Sequence, residues 1–99
     1  MTKNKKKEPS RIPFVRPNQL FAARAILGWS RTKCAKLIGI SPDTIKSIEY
    51  GKSTPELSTV NKIILGFSQS GVSFVERGKA YGIWFAPTET KTENAPANS

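Results

Sequence analysis

The segment from Ser30 to Gly51 constrains the fold more than any other part of the chain, because it contains the start and stop signals of two short helices. Gly39 is expected to end the first of them in the left-handed conformation that glycine adopts without steric cost. Ser41 then suits the N-cap of the second, and Pro42, which has no amide hydrogen, suits its first position. The segment therefore predicts two helices joined by a tight turn.

The apolar spacing inside this segment predicts which faces of the two helices are buried. Cys34, Ala35 and Ile38 share one side of the first helix, and Ile45 and Ile48 share one side of the second. Ala35 is small enough for a place where two steeply crossing helices approach closely. The second helix is left with an exposed polar face.

A further helix is predicted on either side of this segment. One should begin near Pro17 or Asn18 and stop at Gly28. Its apolar face, which one cation interrupts, is formed by Leu20, Phe21, Arg24, Ala25 and Leu27. The other should run from about Glu56 to Ser68. Its apolar side chains, which we expect to be buried, are Leu57, Val60, Ile63, Ile64 and Phe67.

After Gly71 the periodicity changes from that of a helix to that of a strand. Residues 72–75 and 80–85 are rich in aromatic and β-branched side chains, and Gly78 between them can supply a positive φ, which predicts a β-hairpin. A lone hairpin is marginal in water, so it must pack on the helices, pair with a copy of itself or receive another strand. Either the hairpin or the fourth helix is expected to mediate dimerisation, and Trp84 and Phe85, expected to be exposed, are the candidate residues.

The composition divides the 99 residues into four parts. Residues 1–13 are polar, cationic and interrupted by prolines, which predicts a disordered basic arm. Residues 14–70 form the predicted helical domain, and residues 71–87 the hairpin. Residues 88–99 lack aromatic and branched aliphatic side chains, which predicts a disordered tail. The expected fold is mainly α: a compact four-helix domain with a short C-terminal β-hairpin.

The charge of the chain favours a nucleic acid as its partner. There are 16 Lys and Arg against 7 Asp and Glu, a net charge of +9. The excess lies in residues 1–70, because residues 71–99 hold three charges of each sign. Such an excess of positive charge favours binding to the phosphates of a nucleic acid. It does not by itself distinguish a DNA-binding protein from a ribosomal protein or a surface-binding basic peptide.

Other classes of protein are disfavoured by what the sequence lacks. It has no His, and its one cysteine lies in an apolar helical pattern, so no disulfide and no Cys/His zinc site is expected within one chain. The scattered acids offer no acid–base pair, so we expect neither an enzyme nor a cofactor. The sequence shows neither the ~20-residue apolar run of a membrane span nor the pattern of a signal peptide, so a cytoplasmic location is expected.

Residues from about 18 to 67 resemble the Xre-type helix-turn-helix family, which includes Cro proteins, phage repressors and many bacterial regulators. The matching pieces are AARAILGWS, the spacing Ala35–Gly39–Ile40–Ser41, TIKSIEYGK and the start of the last helix at Pro55–Leu57. The resemblance implies a lambda-repressor-like fold, in which the second helix of the motif lies in the major groove and the first crosses the backbone above it. It also implies a transcriptional regulator that binds double-stranded DNA, and we expect a repressor that acts as a homodimer on a two-fold operator.

The resemblance assigns roles to individual residues. Those expected to face base edges or the groove wall are Pro42, Asp43, Thr44, Lys46 and Ser47. Those expected to contact phosphates are Arg31, Lys36, Lys52 and Ser53. A structural ion pair between Arg24 and Glu49 is expected to tie the first helix to the end of the reading helix. Asp43 has the alternative of capping the helix N-terminus, and Lys46 that of binding phosphate without reading a base.

The chain departs from the family pattern at two of these positions. Pro42 and Arg31 stand where many members carry glutamine. Pro42 has no amide with which to read adenine. Arg31 is long, charged and at the start of a helix, which favours a contact with phosphate.

Two other functions are compatible with the sequence. The chain could be an antitoxin that binds a toxin through its hairpin or tail and represses its own operon. It could also be an RNA- or ribosome-associated basic domain, but it lacks the interleaved aromatic and basic surface strand of common RNA-binding folds. The basic arm could contact DNA or serve only as a solubilising tail.

Overall fold

The computed structural model describes residues 14–88, and within them the chain forms four helices followed by one antiparallel hairpin. The elements are α1 (Pro17–Leu27), α2 (Arg31–Ile38), α3 (Pro42–Glu49), α4 (Leu57–Ser68), β1 (Val72–Arg77) and β2 (Ala80–Phe85). The fold class predicted from the sequence, mainly α with a C-terminal hairpin, is confirmed. The predicted basic arm and all but the first residue of the predicted tail lie outside the described residues.

The helices begin and end at the local signals found in the sequence. α1 has Pro17 at its first position and ends at Gly28, whose φ of 69° is left-handed. The bounds of the other three helices also lie within one residue of the predicted ones. None of the four is long and apolar enough to cross a membrane.

One hydrophobic core joins the helices and the hairpin. Its buried side chains are Val15, Leu20, Ala23, Cys34, Ala35, Ile38, Ile45, Ile48, Val60, Ile63, Phe67 and Val72. Phe67 on α4 connects the two parts, because its ring stacks on Trp29 with 5.3 Å between centroids and meets the edge of Phe74 on β1 at 5.5 Å. Such aromatic pairs stabilise by about 0.5–1.5 kcal/mol beyond the area they bury.

Three apolar side chains that the sequence pattern places in the core are exposed instead. Phe21 is 54% exposed, Leu57 is 52% exposed and Ala25 is also exposed, so their predicted burial is wrong. Phe21 lies under the guanidinium of Arg24, which is 5.4 Å from the centre of its ring. Leu57 is in the first turn of α4, one turn before Val60, the first residue of that helix to reach the core.

The hairpin packs on the helices, which is one of the three arrangements that its marginal stability allowed. Val72 pairs with Phe85 and Arg77 with Ala80, so β1 is two residues longer than predicted and the turn consists of Gly78 and Lys79. Gly78 has the predicted positive φ, 60°. The face that contains Val72 and Phe85 packs against α1 and α4.

Strand alternation decides which aromatic residue of β2 is exposed. Phe85 packs against the core, so the prediction that it is exposed is wrong. Trp84 points to the opposite face of the sheet and is 69% exposed. The predicted exposure of the pair therefore holds for one member only, because neighbouring strand residues face opposite ways.

Two glycines allow close approaches that fix the helices and the hairpin relative to one another. A Cβ atom on Gly66 of α4 would lie 2.8 Å from Cγ1 of Ile38 on α2. A Cβ atom on Gly71 would lie 2.1 Å from the carbonyl oxygen of Ala86, and Gly71 also has a φ of 92°. The carbonyl of Gly71 accepts a hydrogen bond from the amide of Ala86 at 2.8 Å, which closes the open end of the hairpin.

Candidate nucleic-acid interface

The turn between α2 and α3 is held by hydrogen bonds at the ends of both helices. Ser30 caps α2 by accepting from the amide of Lys33 at 3.0 Å, and Ser41 caps α3 by accepting from the amide of Thr44 at 3.0 Å. Gly39 adopts a φ of 89° and donates its amide to Ala35. These caps fix the direction of α3 before any DNA is present.

One face of α3 is buried in the core, and the opposite face, the free face, is exposed to solvent. Ile45 and Ile48 are buried in the core, whereas Pro42, Asp43 and Lys46 are exposed. The three exposed residues present one ring, one carboxylate and one ammonium group. This face could donate to and accept from base edges in the major groove, which is wide enough for an α-helix.

The other two residues expected to face the groove, Thr44 and Ser47, are half-buried. The hydroxyl of Thr44 is 2.8 Å from that of Ser41 and hydrogen-bonds to it. Thr44 therefore helps to hold the N-terminus of α3, and its hydroxyl is already engaged. The free face of α3 is narrower than the sequence suggested.

Asp43 lies in the first turn of α3, where a negative charge is favoured by the partial positive charge of the helix N-terminus. The N-cap is Ser41, two residues before Asp43, and it is Ser41 that accepts the capping hydrogen bond. Asp43 is exposed, and its carboxylate is therefore accessible to a base or to solvent.

Glu49, at the end of α3, binds two arginines at once. Its Oε2 accepts from Nε of Arg24 at 2.6 Å, and its Oε1 accepts from Nη2 of Arg24 at 3.0 Å. The same Oε1 accepts from Nε of Arg31 at 3.0 Å. The ion pair that the sequence predicted is present in the structure, and Arg31 extends it into a triad.

The triad is partly buried, and its three elements meet there. The side chain of Glu49 is 2% exposed, that of Arg24 is 12% exposed and that of Arg31 is 30% exposed. Arg24 also donates to the carbonyl of Trp29 at 2.8 Å, which ties α1 to the start of α2. The pKa of Arg31 is raised above its ordinary value, chiefly by its hydrogen bond to Glu49.

Arg31 is a predicted phosphate contact that is also a member of the triad. Nε of Arg31 is engaged with Glu49, and the guanidinium lies 5.3 Å from the centre of the Tyr50 ring. The side chain of Arg31, in the first turn of α2, is 30% exposed, so part of the guanidinium is accessible to a ligand. The carboxylate thus orients Arg31 while leaving donors for a phosphate oxygen.

The remaining predicted phosphate contacts are exposed but lie apart along the chain. Lys36 is in the last turn of α2, and Lys52 and Ser53 lie in the loop that follows α3. The amide of Lys52 donates to the carbonyl of Ser47 at 2.8 Å, which anchors the start of that loop to α3. All three side chains are accessible to a polyanion.

Gln19 is an important residue that the sequence reading missed. It is 3% exposed, and its Nε2 donates to the carbonyls of Gly82 at 2.8 Å and Val75 at 3.2 Å. Its Oε1 accepts from the amide of Arg16 at 2.9 Å. The bond from Gln19 to the N-cap amide is half of a capping box, but the N-cap is Arg16 and not Ser or Thr, so the sequence lacks the usual signature. The contacts of Gln19 with the hairpin have no local sequence signal either.

Arg16 and Asn18 connect the same end of α1 to the hairpin. The guanidinium of Arg16 lies 4.1 Å from the centre of the Tyr81 ring, and Nη1 is 3.4 Å from Oε1 of Glu76. Nδ2 of Asn18 donates to the hydroxyl of Tyr81 at 3.0 Å. A groove of about 650 Å³ runs from this contact to the triad. Its lining is mainly aromatic and cationic: Phe14, Arg16, Pro17, Asn18, Phe21, Arg31, Glu49, Tyr50 and Tyr81.

Cys34 is a core residue and takes no part in this surface. It is fully buried on α2, and burial raises the pKa of its thiol to about 11. The described residues contain no cluster of His, Cys, Asp or Glu that could hold a metal ion.

Comparison with known proteins finds a family that the helical part of the chain resembles. The helix-turn-helix family model HTH_3 matches residues 20–64, which run from α1 into α4 and include the whole of α2 and α3. No curated protein matches the sequence. Residues 20–64 are therefore similar to the helix-turn-helix domains of the Xre and lambda-repressor type, which occur in DNA-binding transcriptional regulators.

Proposed function

We propose that this chain is a sequence-specific transcriptional repressor that reads double-stranded DNA by placing α3 in the major groove. The observation that carries the proposal is the division of α3 between Ile45 and Ile48, which are buried, and Pro42, Asp43 and Lys46, which are free. A helix anchored along one side and polar along the other is what the family uses for base recognition. In this role the protein acts in the cytoplasm on bacterial or phage DNA.

The chemistry of the free face limits the bases that it can read. Lys46 donates to O6 and N7 of guanine, and Asp43 accepts from N4 of cytosine. Both contacts are compatible with a G·C pair. Pro42 brings no donor or acceptor, so it offers shape and apolar contact alone, and Ser47 lines the groove wall. We expect an operator whose half-site has G·C pairs opposite the first turns of α3.

Phosphate contacts supply the affinity that so small a reading face lacks. Arg31, held by Glu49, and Lys36 on the same helix would contact one side of the groove, and Lys52 and Ser53 would contact the other. Each phosphate that the protein neutralises makes the decrease of log K with log salt concentration steeper by about 0.9.

A homodimer on a two-fold site would double this limited interface. The outer face of the hairpin is the surface we propose for dimerisation, because Trp84 is 69% exposed on it and Val75 is 41% exposed. A groove of about 430 Å³ lies beside Trp84, and its other lining residues are Val75, Glu76, Arg77, Ala80, Tyr81 and Gly82. An exposed indole next to a hollow on the same face suits a two-fold contact, in which each copy supplies both parts.

The experiment that tests the proposal is selection of bound duplexes from a random DNA library. Wild-type protein should enrich one motif, and a palindromic motif would support a dimer. Lys46→Ala should lose the preference at a guanine position, which corresponds to about 1–3 kcal/mol of discrimination. The matched control is Lys62→Ala, which removes an exposed lysine from α4 and should leave the motif unchanged. Enrichment of no motif by the wild-type protein would overturn the proposal.

An antitoxin that also represses its own operon is the second candidate. The same exposed Trp84 and the unpaired edges of the two-stranded sheet favour it, because a partner could add a strand or cover the indole. Trp84→Ala separates this candidate from simple repression. If a co-transcribed partner binds wild-type protein and not the variant, while both bind DNA equally as monomers, the antitoxin role is supported.

A further inference from the structure

We propose that the tip of the hairpin, residues 77–80, is a second DNA-binding site that contacts the phosphate backbone beside the base pairs read by α3. The inference rests on the proposed DNA-binding function and assigns a role to a part of the chain that lies outside the matched helix-turn-helix. The ligand is the sugar–phosphate backbone of the same duplex, recognised by charge and not by sequence.

The tip is held in one position by contacts with the N-terminal end of α1. Tyr81, which directly follows the tip, stacks on Arg16 at 4.1 Å and accepts from Asn18 at 3.0 Å. Gln19 grips both strands through the carbonyls of Val75 and Gly82. The turn has only two residues, and the strands on either side of it are anchored to α1, so the position of the tip relative to the helices is defined.

The tip lies next to the groove that contains one of the predicted phosphate contacts. Tyr81, the residue after the tip, lines the groove of about 650 Å³ that Arg31 and Tyr50 also line. This surface connects the start of α2, the end of α3 and the start of α1 with the base of the hairpin tip. A duplex that touches Arg31 would have its backbone running along this surface.

The charges along this surface favour a polyanion. Arg77 and Lys79 are exposed at the tip. The two nearby carboxylates are already neutralised, because Glu49 binds two arginines and Glu76 faces Arg16 at 3.4 Å. Arg77 and Lys79 are therefore surplus positive charge, because these two carboxylates are paired with other cations.

The composition of the tip favours a phosphate over a protein partner. Residues 77–80 are Arg, Gly, Lys and Ala, and none of them is a large apolar side chain of the kind that anchors a protein interface. Trp84 pairs with Ser73, four residues along β1 from Arg77. Arg77, Ala80 and Trp84 line one hollow on the outer face. The tip is therefore the cationic end of a face whose other end is apolar.

The test measures DNA affinity against salt concentration for the selected duplex. Lys79→Gln should reduce the slope of log K against log salt by about 0.9, and Arg77→Gln combined with Lys79→Gln should reduce it further. The selected motif should stay the same, because no base contact is lost. The charge-conserving pair Arg77→Lys and Lys79→Arg should keep the wild-type slope.

The matched control is Asn61→Asp, which changes the net charge by the same amount as Lys79→Gln. Asn61 is exposed on α4, outside the hairpin tip and outside the outer face of the hairpin that is proposed for dimerisation. It should leave the slope unchanged. Equal slopes for wild type, Lys79→Gln and the double variant would overturn the inference, as would an equal decrease for Asn61→Asp and Lys79→Gln.

The failure of this inference is distinguishable from the failure of the proposed function. If the tip variants keep the wild-type slope while Lys46→Ala loses its base preference, α3 reads DNA and the tip does not contact it. If wild-type protein binds no duplex at low salt, both the proposed function and the inference fail.

Discussion

The α2–α3 unit and the hairpin are positioned by two different kinds of interaction. Within α2–α3, the caps at Ser30 and Ser41 join residues three apart in sequence. The hairpin is held by Gln19, whose partners Val75 and Gly82 are 56 and 63 residues away. The reading unit therefore carries the information for its shape within itself, whereas the hairpin takes its position from a residue at the other end of the folded chain.

The triad of Arg24, Arg31 and Glu49 is neither a local cap nor an anchor of the hairpin, because it joins three helices. Breaking it should give the largest loss of stability. Glu49→Gln should destabilise the protein by about 3–5 kcal/mol, because it leaves Arg24 partly buried without a counter-charge. Urea denaturation measures this change. Asp43→Asn, which removes an exposed carboxylate from the same helix, should change stability by less than about 0.5 kcal/mol. Similar losses for the two variants would contradict the structural role of the triad.

The junction between helices and hairpin gives the next largest effect. Gly71→Ala should cost about 3 kcal/mol, since a side chain there is strained by the positive φ and overlaps the carbonyl of Ala86. Gly78→Ala is the matched change, with a positive φ but nothing within 4 Å of the new Cβ, and it should cost about 1 kcal/mol. Thermal unfolding of both proteins would show whether the close approach matters beyond the backbone angle.

The long-range anchor of the hairpin should have an intermediate effect. Gln19→Leu should cost about 2 kcal/mol, because the carbonyls of Val75 and Gly82 lose their donor. Hydrogen exchange should show faster exchange in β1 and β2 than in α2 and α3. Asn18→Ala, which removes an exposed hydrogen bond to the same hairpin, is the control and should do much less. Equal acceleration in all elements would mean that the hairpin does not open separately.

Removal of a local helix cap should give the smallest loss of stability among the four sites tested. Ser41→Ala should cost about 1 kcal/mol, the usual value of an N-cap, because the amide of Thr44 loses its acceptor. Ser41→Asp keeps an acceptor and should restore stability, which circular dichroism during thermal unfolding would measure. A loss from Ser41→Ala as large as that from Gln19→Leu would weaken the contrast between local and long-range anchoring.

The same contrast explains how far the fold was predictable. Prolines, serines and glycines at helix ends act on residues within one turn, so the bounds of the helices could be read to within one residue. Which face of an element finds a neighbour depends on distant parts of the chain. The exposure of Phe21 and Leu57 was missed for that reason, and so was the close approach of Gly66 to Ile38.

Prediction of the candidate interface followed the same rule. The free face of α3 could be deduced from the spacing of Ile45 and Ile48, and the Arg24–Glu49 pair from the family resemblance. The participation of Arg31 in the triad could not, because it requires knowing that α2 begins beside the end of α3. The connection of the hairpin to this surface through Tyr81 likewise has no signature in the local sequence.

The division of α3 also bears on how such a protein acquires new targets. Pro42, Asp43 and Lys46 are exposed, so substitutions there are expected to cost little stability. Operator preference can therefore drift, or be engineered, one position at a time on an unchanged scaffold. Arg31 is the exception: its bond to Glu49 means that a mutation altering its phosphate contact also disturbs the joint between three helices. Retargeting this protein should proceed through the free face of α3, with the arginine left in place.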